Sequence, residues 1–138
     1  MTNTLPRDIG IILVDHGSTR DEANALLEDV AQLFRGMSGA RVVEIAHMEL
    51  AEPTIAQAFA RCVKQGATRV VVHPYFLAPG RHSTTDIPRL VAEAAASHRD
   101  VAYTVTAPLG LDPRMTEIIG DRIAQALDAN WTRSTERG

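Results

Sequence analysis

The sequence predicts an α/β fold: a four-stranded parallel sheet with helices on both faces. Three observations carry this. Four short runs rich in β-branched residues (Ile9–Val14, Arg41–Met48, Arg69–Phe76 and Val101–Thr106) alternate with four longer segments of helical spacing. The short runs lack strict polar alternation, as strands covered on both faces do. The resulting β-α-β-α-β-α-β-α order leads to a parallel sheet with right-handed crossovers.

Each element has its own warrant. The first strand, Ile9–Val14, runs straight into Asp15-His16-Gly17. The first helix spans roughly Arg20–Arg35, with Ala23, Leu26, Leu27, Val30, Leu33 and Phe34 on one stripe and Ser18 or Thr19 as its cap. After the second strand, Pro53 opens and Gly66 closes a helix over roughly Thr54–Gln65, with Ile55, Ala58, Phe59, Cys62 and Val63 facing inward. The third helix covers roughly Thr85–Ser97 and the fourth roughly Arg114–Ala129. With no internal linker, residues 1–138 read as a single domain with a core of about 9–129 and a polar tail at 130–138. Met1–Arg7 and Thr132–Gly138 are expected to fray.

Composition excludes several function classes. At 138 residues, with 45% hydrophobic and 22% charged residues, the chain has enough material for one core. Fourteen basic against seventeen acidic residues give a net charge of −3, the wrong sign for a nucleic-acid surface that works by general charge. Aromatic residues at 4% are too few for base-stacking platforms. The single cysteine, Cys62, excludes an intramolecular disulfide, a thiolate zinc cluster and a redox dithiol. It suits a reducing cytoplasm, and on the apolar stripe of the second helix it reads as an inert buried thiol. The apolar run at Ile9–Val14 is too short to span a bilayer, and no signal peptide is evident.

In a parallel α/β sheet, ligands bind beyond the carboxyl ends of the strands. Three of the four strand-to-helix junctions carry a histidine there: His16, His47 and His82. His16 sits where the first strand ends, with Gly17 allowing a sharp turn. His82 follows Pro79-Gly80-Arg81 in a loop whose shape Pro and Gly restrict. Two neutral imidazoles on one edge suit Fe²⁺, Co²⁺, Ni²⁺ or Zn²⁺. Asp86 either orients His82 or only favours a helix N-terminus. Of Glu49 and Glu52, one is a proton acceptor near the site and the other a helix-start residue. His47 is either a third ligand or a packing residue. His73 reads as a satisfied buried histidine and His98 as a solvated one. Arg81, Arg20 and Arg89 are candidate anion binders near the edge. Asp15 before His16 argues against histidine-phosphatase chemistry, which needs an arginine there. A nucleophile elbow, a GxGxxG fingerprint and a P-loop are absent from the sequence. A metal-handling enzyme, or a passive metal or tetrapyrrole carrier, remains.

The junction strings resemble the short-form CbiX/SirB chelatases, which insert a divalent metal into sirohydrochlorin. The resemblance rests on Val14-Asp15-His16-Gly17-Ser18 followed by Glu22-Ala23-Asn24, on His47-Met48-Glu49-Leu50-Ala51-Glu52-Pro53-Thr54-Ile55, and on Gln65-Gly66-Ala67. It continues through Tyr75-Phe76-Leu77-Ala78-Pro79-Gly80-Arg81-His82, Asp86-Ile87-Pro88 and Ala107-Pro108-Leu109-Gly110, in family order over roughly residues 9–123. It implies a chelatase-like three-layer sandwich and a lyase of sirohaem or cobalamin biosynthesis. His16 and His82 would be the catalytic, metal-binding pair, with Glu49 as the acidic residue, although Glu52 competes for that place. Arg81, Gly80 and Ser18 would meet the tetrapyrrole. The Ala46–Pro53 wording is most similar to the ferrochelatase branch, favouring Fe²⁺, with Co²⁺ or a nickel relative as alternatives. Plant members of that branch carry a cysteine-rich tail for an iron–sulfur cluster; Thr132–Gly138 has no cysteine, so no such cluster is expected. A domain this small offers half of a macrocycle's pocket, so a homodimer is expected, with neither nucleic acid nor membrane as partner.

Overall fold

A computed structural model describes residues 5–128 and 131–134, and the side chains of His82 and Ser83 lie outside the described residues. The fraying expected at residues 1–4 and 135–138 therefore also lies outside them. The elements run β1 (Ile9–Asp15), α1 (Asp21–Ser38), β2 (Val42–His47), α2 (Ile55–Lys64), β3 (Arg69–Pro74), a π-helical turn (His82–Asp86), α3 (Ile87–Ala95), β4 (Ala102–Val105) and α4 (Pro113–Leu127). All strand pairs are parallel, in the order β2-β1-β3-β4. The expected α/β sheet is thus present.

β1 is central, and its interior residues are buried without a break, which is why its sequence shows no alternation. Alternate residues still divide between two cores. Ile12 and Val14, with Val42, Ala46, Val70 and Val72, meet α2 and α3 through Phe59, Cys62, Ile87 and Val91. Ile11 and Leu13, with Val43 and Ile45, meet α1 through Leu27 and Ala31. α2 starts at Thr54, whose hydroxyl accepts from Gln57 N while the Gln57 side chain accepts from Thr54 N. This reciprocal box satisfies two otherwise orphaned donors, and such caps contribute about 1 kcal/mol.

Four expectations need correction. The α1 stripe is narrower than its sequence spacing suggests: Leu27 is buried, whereas Leu26 and Leu33 are 58% and 77% exposed. Residue Arg20, not Ser18 or Thr19, occupies the N-cap of α1, because Ser18 and Asn24 are engaged with one another. α3 begins two residues later than Thr85, after a π-helical turn in which Thr84 donates to Gly80 O through both its amide and its hydroxyl. α4 forms, opened by Asp112 and Pro113, but none of its described residues is buried. The helix therefore covers neither sheet face, and the α1 side of the sheet is open beyond β3, where Ala102 and Thr104 are exposed.

Candidate metal-handling edge

The parallel ladder between β1 and β2 continues past the strand ends. Met48 N donates to Asp15 O at 2.9 Å and Glu49 N to His16 O at 3.1 Å. These bonds carry the β1–α1 and β2–α2 loops side by side off the carboxyl edge. Gly17, at φ 96°, turns the first loop beneath the second; a Cβ there would lie 1.8 Å from Glu49 O. Only glycine tolerates both that conformation and that approach.

His16 and Glu49 meet on this scaffold, with Nε2 3.2 Å from Oε1 and both side chains about half exposed. An imidazole nitrogen and a carboxylate oxygen at this spacing, open to solvent, suit a borderline divalent cation or a proton transfer. The structure separates the two glutamates. Glu52 accepts from Gln57 Nε2 at 3.1 Å at the start of α2, whereas Glu49 faces His16.

His82 opens the π-helical turn after the β3 loop, but its ring lies outside the described residues, as does any orienting contact from Asp86 to it. That loop is laced to the β4–α4 loop, with Leu109 N donating to Phe76 O and Gly110 N to Leu77 O. Gly80 and Arg81 are exposed at the loop's end, and a Cβ on Gly80 would meet nothing within 4 Å. Ser18 shapes its own loop: its N–H donates to Asn24 Oδ1, its carbonyl accepts from Asn24 Nδ2, and its hydroxyl accepts from Arg20 N. Asn24, which stands in the Glu22-Ala23-Asn24 string but inside α1 rather than at a strand-to-helix junction, thus sets this loop. Among the described residues no group of three metal-ligating side chains converges.

The other histidines are engaged elsewhere. His47 is 1% exposed and its Nδ1 sits 2.6 Å from Asp15 Oδ1, a packing and hydrogen-bonding role rather than an open ligand. His73 is half-buried, bonded to Thr106 Oγ1 at 2.8 Å, and burial pushes its pKa below the ordinary value. His98 is not fully solvated but stacks on Phe59 at 5.6 Å between centroids. Burial pushes the Cys62 thiol up to about 12, as an inert core thiol requires. Of the arginines, Arg89 pairs with Glu93 at 3.3 Å, and Arg20 and Arg81 are exposed.

The chain as a whole is similar to known proteins. A family model described as CbiX matches residues 10–126. The sirohydrochlorin ferrochelatase, chloroplastic, of Arabidopsis thaliana is 52% identical over 118 residues, covering 86% of this chain and 52% of that protein. The sirohydrochlorin cobaltochelatase of Methanopyrus kandleri is 32% identical, covering 86% of this chain and 97% of that one. Among solved structures, the sirohydrochlorin chelatase SirB of Bacillus subtilis subspecies spizizenii, in complex with cobalt, superposes with a TM-score of 0.81 at 32% identity over 86% of this chain and 50% of that chain. A putative cobalamin biosynthesis CbiX protein from Marinobacter aquaeolei superposes at 0.74 and 32% identity over 87% of this chain and 98% of that chain. The chain therefore spans about half the length of the Arabidopsis and Bacillus proteins and nearly all of the Methanopyrus and Marinobacter ones. Among the described residues, no helix is long and apolar enough to cross a membrane. Sequence match and fold agree that this chain belongs to the CbiX family.

Proposed function

We propose that the chain is a single-domain chelatase, a lyase that inserts Fe²⁺ or Co²⁺ into sirohydrochlorin in sirohaem or cobalamin biosynthesis. The observation that carries this is the pairing of His16 with Glu49 at the open carboxyl edge of a parallel sheet. The reaction exchanges two pyrrole N–H protons for a divalent ion. The metal enters as substrate, so its site must hold the ion and then release it. An open set of few ligands does this where a closed four-ligand cage would not. His16 and His82 hold the ion as neutral imidazoles. Glu49, at hydrogen-bond reach of His16, receives a proton leaving the ring. The exposed Arg81 meets the carboxylate periphery of the macrocycle, with Gly80 and Ser18 shaping the loops that face it.

The active form is a homodimer in the cytoplasm. Related proteins of twice this length support it, as does an apolar groove of about 430 Å³ on the α1 side of the sheet. Ile9, Ile11, Leu13, Val30, Phe34 and Val71 help line this groove. The same chain carries an unburied helix with Ile118, Ile119, Ile123 and Leu127 exposed. α4 of a second copy is the occupant whose chemistry matches. Ile119→Glu with Ile123→Glu should turn a dimer into a folded monomer in light scattering; a wild-type monomer at micromolar concentration contradicts this pairing.

Catalysis is tested by substitution. His82→Ala should abolish insertion while leaving the fold intact, because His82 opens the π-helical turn ahead of the apolar residues of α3. Arg81→Ala removes one charge-assisted contact, about 1.5–3 kcal/mol, and should only weaken substrate binding. A folded His82→Ala protein with near-wild-type turnover refutes the assignment, and a wild-type protein that stops at one equivalent of tetrapyrrole is a carrier.

A further inference from the structure

His47 is among the largest fully buried side chains, and neither the metal nor the tetrapyrrole has a use for it where it lies. Its surroundings are specific. Asp15 and His47 form the last rung of the β1–β2 register, and their side chains meet across it, with Nδ1 2.6 Å from Oδ1. In the Nδ1–H tautomer the imidazole donates and the Asp15 oxygen accepts. On the same residue the backbone N donates to Pro53 O at 2.8 Å, and His47 bridges to Thr54. The loop carrying Glu49 is thereby closed at its base, entering at His47 and leaving at Pro53.

The His16–Glu49 pair stands directly on this base. His16 is one residue beyond Asp15, and Glu49 is two beyond His47. Past the rung, the backbone bonds Met48 N to Asp15 O and Glu49 N to His16 O connect the two loops. Gly17 packs against Glu49 O and the His47 Cβ from below. Both side chains are about half exposed, on loops that leave the sheet at this rung.

We infer that Asp15 and His47 are positioning residues, whose buried hydrogen bond sets the spacing of His16, the proposed metal ligand, and Glu49, the proposed proton acceptor. The inference rests on the proposed role of His16 and Glu49 but assigns a task to a pair that touches neither metal nor ring. The bond acts through geometry: it locks the final rung, and the loops leave the sheet in one relative orientation. The site is sensitive to this, since the distance from His16 to the ion must hold to about 0.2 Å and Glu49 must stay within reach of the departing proton.

The probe is Co²⁺ added to the full-length protein and followed by its visible absorption, with insertion kinetics measured in parallel. Asp15→Asn keeps an oxygen acceptor at the same place; Asp15→Leu keeps the size and removes it. Asp15→Leu should weaken Co²⁺ binding at least tenfold and lower kcat at least tenfold, with KM for the tetrapyrrole within threefold of wild type. Asp15→Asn should recover both to within threefold. His47→Phe, which fills the buried space without a donor, should reproduce the Asp15→Leu defect and covers the case in which that variant fails to fold. A merely structural bond would lower the melting temperature of both deletion variants yet leave the folded protein's Co²⁺ affinity and kcat unchanged, and this result overturns the inference. Failure of Asp15→Asn to recover also overturns it, because charge rather than the held geometry would then matter. His16→Ala is the control that separates the two claims. If it leaves Co²⁺ binding intact, the metal site itself is wrongly placed and the inference falls with it. If it abolishes binding while Asp15→Leu does not, only the positioning role fails.

Discussion

Gly17→Ala makes the crossing of the two loops measurable. The residue has φ 96°, a region that costs a residue with a Cβ about 1–2 kcal/mol. The added methyl carbon would lie 1.8 Å from Glu49 O, 3.0 Å from the Glu49 carbonyl carbon and 3.2 Å from the His47 Cβ. Backbone oxygen cannot rotate away as a long side chain does, so the Glu49 loop must retreat by about an ångström. That movement strains the bond from Glu49 N to His16 O, another net contribution of about 1 kcal/mol. Together the substitution should destabilise the fold by about 2–3 kcal/mol in urea melts. The same ångström separates His16 from Glu49, and a misplacement of that size costs on the order of 100-fold in rate. Gly36→Ala is the control: Gly36 lies inside α1 with nothing within 4 Å of an added Cβ, so the change should stabilise by about 0.5–1 kcal/mol without touching turnover. Equal melts and equal kcat for Gly17→Ala and wild type would refute the claim that the loops are held in contact there.

Other expected outcomes follow from the core and the surface. Phe59→Ala removes a fully buried ring between the sheet, His98 and Tyr103, and should cost about 3–5 kcal/mol in denaturant titration. Cys62, with its thiol raised to about 12, should resist iodoacetamide at pH 8 in the native protein and react quickly in urea. Asp8 accepts from Arg69 Nε and Nη2, and these bonds lower its carboxyl to about 2. A depressed carboxylate stabilises the fold above its unfolded pKa, and that contribution is lost as pH falls from about 3.8 towards 2. Carboxyl resonances should show Asp8 titrating near pH 2, and Arg69→Ala should raise it towards the ordinary range, with the Thr68 hydroxyl still donating to it.

The residues that announce the fold are those whose pattern reports local physics. β1 is buried on both faces, so its apolar run is unbroken and easily read. Pro53 places the start of α2 beside its Thr54 cap, and helical spacing places the start of α4 beside Asp112 and Pro113, although neither capping contact is read from the sequence. What the sequence withheld depends on lateral placement. The α1 spacing joins Leu26 and Leu33 to Leu27, because helical periodicity does not say how much of an apolar face the neighbouring sheet covers. The same ambiguity hides the fate of α4, whose apolar residues show that a face exists but not which surface takes it. The edge carrying His16, His47 and His82 follows from topology, yet the Asp15–His47 bond needs the β1–β2 register, which no local signal encodes. Glu49 and Glu52 look equivalent in a loop of mixed composition; Gln57, one turn into α2, separates them. His98 precedes Arg99-Asp100 and so reads as solvated, but the partner that shelters it, Phe59, is 39 residues earlier.

The central claim is that His16 and Glu49 form the edge on which a metal is delivered to a tetrapyrrole. Continuous absorbance of sirohydrochlorin with Fe²⁺, Co²⁺ and Ni²⁺, with the uncatalysed rate subtracted, tests it most directly on wild-type, His16→Ala and Glu49→Gln proteins. The account predicts many turnovers for the wild type with Fe²⁺ or Co²⁺, and loss of nearly all of them in both folded variants. Wild-type progress that halts at one ring per site, or a folded His16→Ala protein that keeps inserting metal at the wild-type rate, would contradict it.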